Sequence, residues 1–218
     1  MNRATRISAI TLATVFALGG LSHGIGEVLQ GNTPTNGRQI DAIGPAHQTW
    51  EYGGESAITL IPNFLYTGIA AITVSLLIVV WAFVFLHRPG GPWGLLALFI
   101  TLLLVGGGIG QVLFFPWAVA VATRINHPLT GWRRRLPDKV RGRLAAWWPA
   151  LLSVGVVSIL FALYIAVFGY VPGLTGADAR LILVGILLLT GLLGFLASFV
   201  AAFAHDIEQS LVATEAQA

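Results

Sequence analysis

Five ionisable residues of this chain carry spacing that suits a site. His23 and Glu27 stand four apart at the end of an apolar run, and His47, Glu51 and Glu55 recur every fourth residue in HQTWEYGGE. On a helix, residues four apart share a face. Imidazole and carboxylate together suit zinc, iron or nickel, so His23, Glu27, His47, Glu51 and Glu55 form one candidate metal set. A divalent metal is the one cofactor these residues admit, and none is required. The same groups suit proton or cation handling, and equally hydrogen bonding or capping at a helix end. Gly53 and Gly54 argue against one continuous helix through the second set.

His23 and Glu27 share their helix face with Gly20 and Gly24, a GxxxG pair that lets two helices approach closely. A helix starting near Ile7 places Glu27 about 30 Å along it, near an interface where water is in reach. Two polar residues elsewhere complete a second candidate set. Asn63 belongs to a stripe, Thr59, Asn63, Thr67, Ala71 and Ser75, that a helix would turn toward its neighbours. Gln111 lies in GIGQVL (108–113), an echo of GIGEVL (24–29) in which Gln replaces Glu27. His23, Glu27, Asn63 and Gln111 are therefore a candidate cavity or ion site, with Glu27 and Gln111 expected as neighbours.

These residues need elements to hold them, and composition says what kind. Of 218 residues, 56% are hydrophobic and 10% charged, against about 25% charged in soluble domains. The apolar residues fall in long runs, which makes lipid the expected solvent and one integral membrane domain the expected organisation. A cysteine count of zero removes disulfides, thiolate metal sites and thiol catalysis.

The first run, 7–29, follows Arg3 and Arg6. "ALG" at 17–19 resembles a signal-peptidase site, but the run reaches the length of a span, and a retained helix is expected. A polar, acidic outer loop (30–56) follows, then runs at 57–86, 94–123, 147–171 and 181–204, and a basic loop at 125–146. Five straight helices would put the arginine-rich loop opposite Arg3 and Arg6, against the rule that basic loops stay cytoplasmic. Doubling back at VGGGIGQ (105–111) resolves the conflict, because glycine permits a turn and weakens a helix. The expected fold is thus an all-α transmembrane bundle of six membrane helices. The middle two (94–107, 110–124) form a short glycine-broken hairpin, and five straight helices are the alternative. Both termini are expected in the cytoplasm, across an inner (plasma) membrane.

Small residues every fourth position in 147–171 (Ser158, Ala162, Ala166) and 181–204 (Thr190, Gly194, Ser198, Ala202) predict that these two helices pack together. Leu136–Trp147 reads as an interfacial helix. Arg133, Arg134, Arg135, Lys139, Arg141 and Arg143 are expected to meet anionic lipid headgroups rather than nucleic acid. Trp93, Trp132, Trp147 and Trp148 suit an inner aromatic belt, and Trp50 an outer one. Walker and HExxH motifs are absent from the sequence.

HGIGEVLQGN, GGGIG and ATRIN together resemble a group of small multi-pass bacterial membrane proteins to which no activity is assigned. The resemblance implies an integral membrane protein and nothing sharper. Three readings of function follow from the residues. A transport or channel component for a small solute or ion would place a cavity at Glu27, Asn63 and Gln111. A non-enzymatic partner or assembly subunit would use the small-residue ridges and basic surface. A metal-dependent membrane enzyme would gather two histidines and a carboxylate. Oligomeric state is not encoded in any of these features.

Overall fold

The computed structural model describes residues 1–216 and is helical apart from one small ribbon. Its elements are α1 (Arg3–Leu29), β1 (Gln39–Asp41), β2 (Ser56–Ile58), α2 (Phe64–Val84), α3 (Gly91–Leu104), a 3-10 turn (Gly110–Leu113), α4 (Phe115–Ala122), α5 (Thr130–Arg135), α6 (Asp138–Phe168) and α7 (Ala177–Glu215). Four of them, α1, α2, α6 and α7, are long and apolar enough to cross a membrane.

The segment expected to turn back does so at its glycines. Gly106 donates to Ile58 O and Leu60 N to Leu104 O, both at 2.9 Å, so α3 ends against β2. At the other end Asn126 Nδ2 donates to His87 O at 2.6 Å, and Asn2 N to Ile125 O at 2.7 Å. Residues 87 and 126 therefore share the N-terminal end of the bundle, and one straight helix over 94–123 does not form. With 14 and 8 residues, α3 and α4 measure about 21 and 12 Å, short of a 30 Å lipid core.

Close approach of α1 and α2 follows from glycine. A Cβ on Gly24 would lie 2.8 Å from Gly68 O, and one on Gly68 2.6 Å from Gly24 O. Such contacts are between backbones and cannot be relieved by a rotamer change. Helices α6 and α7 pack along each other as expected, with close approaches where a Cβ on Gly194 would lie 2.9 Å from Gly155 N and one on Gly191 2.5 Å from Ile159 Cδ1. Pro149, inside α6, cannot donate to the carbonyl four residues back. That carbonyl, Ala145 O, is met instead by His205 Nδ1 of α7 at 3.4 Å.

Several expected boundaries shift, for local reasons. α2 starts at Phe64 rather than 57, because Asn63 caps it: its Oδ1 accepts from Leu65 N (3.1 Å) and Tyr66 N (3.3 Å). The expected interfacial helix is not separate, since α6 runs unbroken from Asp138. The polar tail continues α7 to Glu215. There Asp206 accepts from Ala4 N (2.9 Å), Thr5 N (2.8 Å) and Thr5 Oγ1 (2.6 Å), a carboxylate supplied by one helix to the positive N-terminus of another. Arg141 leaves the lipid-facing set. It is buried and paired with Asp138 and Glu208, tying α6 to α7, while Arg133, Arg134, Arg135, Lys139 and Arg143 are exposed.

Candidate functional site

At the end of the bundle that carries the β-ribbon, α1 presents His23 and Glu27 to the glycine turn. His23 Nε2 lies 3.2 Å from Glu55 Oε2, a carboxylate brought in from the 30–56 loop just before β2. Glu55 has φ +58, in the left-handed region that costs a residue with a Cβ. It is held there by its neighbours in the ribbon: Ala42 N donates to Glu55 O and Ile43 N to Gly54 O, both at 2.9 Å.

The turn is shaped around these side chains. Gly106 and Gly108 have φ +97 and +93. A Cβ on Gly106 would collide with the Glu27 carboxylate, and one on Gly108 would lie 2.7 Å from His23 Nε2. Gln111 pins the turn from within, donating through Nε2 to Gly107 O (3.0 Å) and Gly108 O (3.1 Å). Glu27 and Gln111 thus meet the same turn at different glycines, Glu27 at Gly106 and Gln111 at Gly107 and Gly108. The two hexapeptides are no structural repeat, one being α-helix and the other a bend followed by 3-10 helix.

Glu27 is not at a solvated helix end. It is fully buried, and neither of its oxygens has a hydrogen-bond partner among the described residues. Thr67 of α2 is beside it, but donates to Val105 O at 2.8 Å and shares a 2.6 Å contact with Thr59. His23 Nδ1 and Gln111 Oε1 are likewise buried without a partner.

Beside His23 the bundle leaves a cavity of about 370 Å³. Its polar end carries His23, Glu55, Ser56 and Gln111, and its walls are otherwise almost wholly apolar, with Phe16 and Phe114 stacked at a 4.4 Å centroid distance. Ala162 and Ala166, expected as a packing ridge, form part of the far wall on α6. Leu113, Leu188 and Leu189 also line it and belong to the bundle's exposed apolar surface. The cavity therefore reaches the exposed apolar surface of the bundle beside α7. The sequence does not mark these wall residues, because an alanine or leucine on an apolar helix carries no signal separating a cavity wall from a packed contact.

Not every candidate residue arrives here. Asn63 is spent on capping α2 and donates through Nδ2 to Asn32 Oδ1 (2.8 Å), so it does not line the cavity. His47 and Glu51 sit exposed in a turn region rather than on a helix. Among the described residues no three His, Cys, Asp or Glu side chains converge as metal ligands, so the five-residue metal set is reduced to the His23–Glu55 pair with Glu27 one helical turn away.

The 30–56 loop is fastened to α6 and α7. Trp50, expected at a lipid interface, is buried instead and donates through Nε1 to Ala166 O (2.8 Å), and Thr49 Oγ1 donates to Val167 O (2.8 Å). Tyr52 donates its phenol to Asp178 Oδ1 at 2.8 Å, and this bond, with the Asp178 charge, holds its pKa above the usual phenol value. This loop is thereby locked over the cavity's polar end. No family model, curated protein or solved structure matches this chain.

Proposed function

We propose that the chain is a membrane-embedded transport or binding component for a lipid-soluble small molecule, taken in sideways between the glycine turn and α7. The polar end of the molecule is held at His23, Glu55 and Gln111. The observation that carries this reading is the roughly 370 Å³ cavity with apolar walls and a single polar end, the usual make-up of a small-molecule site. Such walls suit a lipophile better than a hydrated ion, which needs polar groups along its path. In this reading α3 and α4 enter and leave the membrane from one side, giving six membrane segments. Both termini face the cytoplasm, and Arg133, Arg134, Arg135, Lys139 and Arg143 meet anionic headgroups there.

The test is binding of a fluorescent naphthylamine, bright only in apolar sites, to the full chain in lipid nanodiscs. Leu188→Trp at the mouth and Ala162→Trp on the wall are expected to weaken binding, by about tenfold if one good contact region is lost. Leu193→Trp, exposed on the same helix and away from the cavity, is expected to bind as the parent does. Equal binding by all four proteins, each confirmed folded, refutes the reading.

A further inference from the structure

The polar end of the cavity has a definite hydrogen-bonding character. Gln111 has spent its amide nitrogen on Gly107 O and Gly108 O, so what it has left is Oε1, an acceptor. His23 points Nε2 at Glu55, and a carboxylate only accepts, so Nε2 is the donor of that pair. Glu55 is itself an acceptor, and its side chain is one-fifth exposed (21%). No lysine or arginine lines the cavity. In the glycine turn the N–H groups of Gly106, Gly107 and Ile109 already donate to Ile58 O, Leu102 O and Ser56 O, which leaves those of Gly108 and Gly110 as its backbone donors.

We infer that the molecule held here carries a hydrogen-bond donor, a hydroxyl or an ammonium, at its polar end, and not an anionic headgroup. The inference rests on the binding reading above and adds the chemical class of the ligand. Buried acceptors with no partner are costly. A donor delivered from the cavity meets the Glu55 carboxylate, which lines it and is partly exposed, and would reach Gln111 Oε1 on rotation of that side chain. A carboxylate or phosphate would add a further acceptor beside Glu55 and find no cation to offset it. Lipids whose headgroup is anionic are thereby disfavoured at this end of the cavity.

The experiment uses three amphiphiles with one tail and different ends: dodecylamine, dodecanol and dodecanoate. Each displaces the naphthylamine probe from the full chain in zwitterionic nanodiscs, and the signal from Leu188→Trp is subtracted to remove membrane partitioning. Dodecylamine and dodecanol are expected to displace at concentrations about tenfold or more below dodecanoate, the worth of one good charged or donor contact. Glu55→Gln is expected to erase most of the amine's advantage and spare the alcohol. Glu55→Asp, which keeps the charge, is expected to retain that advantage and guards against a merely structural effect of the change. Cavity-dependent displacement with no discrimination among the three ends, or with dodecanoate the strongest, overturns the donor inference and leaves the binding reading standing. Absence of any cavity-dependent displacement overturns both.

Discussion

Gly106→Ala measures how closely the glycine turn is built around Glu27. Two separate costs are expected. The backbone at φ +97 lies outside the region L residues prefer, a cost of about 1–2 kcal/mol. The new methyl would also collide with the Glu27 carboxylate, which is fully buried; overpacking of this sort costs about 1–3 kcal/mol. The sum is about 2–5 kcal/mol, large against a marginal fold. Glu27→Ala separates the two terms, because it clears the space and leaves the backbone strain. A double-mutant cycle over the parent, Gly106→Ala, Glu27→Ala and the double variant should therefore show a favourable coupling of about 1–3 kcal/mol. The assay is equilibrium unfolding in mixed micelles with rising denaturing detergent, followed by circular dichroism. Additivity of the two changes to within about 0.5 kcal/mol would mean that turn and carboxylate do not touch, and the site's geometry would be wrong.

Three further outcomes are expected. Asp206→Ala removes three hydrogen bonds to the start of α1 and should cost about 2–3 kcal/mol in the same unfolding assay; a loss below about 0.5 kcal/mol would sink the capping role. Tyr52 should ionise above a free phenol, read as the difference in phenolate absorbance between the parent and Tyr52→Phe, and Asp178→Asn should lower it. The sign follows from the bond: donation to Asp178 favours the protonated phenol, so its contribution is whole below about pH 10 and is lost as pH rises through the raised value. Because the chain has no cysteine, single substitutions report sidedness: Gln48→Cys should react with an impermeant reagent added to whole cells and Arg134→Cys should not, and labelling of both would refute the proposed orientation.

Much of this architecture was legible in the residues. Long apolar runs and scarce charge announced membrane helices, and the conflict between basic loops and a five-helix count pointed to the turn at 105–111. GxxxG at Gly20 and Gly24 marked the close helix contact. What failed did so for identifiable reasons. Asn63 read as a bundle-facing polar residue because it continued a four-residue stripe, yet Pro62 stops the helix there and leaves Asn63 as its cap. Glu27 read as solvated because distance along a helix ignores the loop folded over its end. Arg141 read as one cation among six because the polar tail, with Glu208, gave no sign that it continues α7. His47 and Glu51 kept helical spacing in a stretch that is not helical.

The division between the two levels has a physical basis. Hydropathy, helix length and glycine placement act locally, through the cost of exposing backbone to lipid and the freedom of a residue without Cβ, and so they can be read along the chain. Pairing His23 with Glu55, seating Glu27 against Gly106, capping α1 with Asp206 and leaving a cavity bounded by Phe16, Gln111 and Ala162 each join residues far apart in sequence. Such contacts depend on which helix faces meet and how the outer loop closes over them, and no run, period or motif encodes that until the chain has packed.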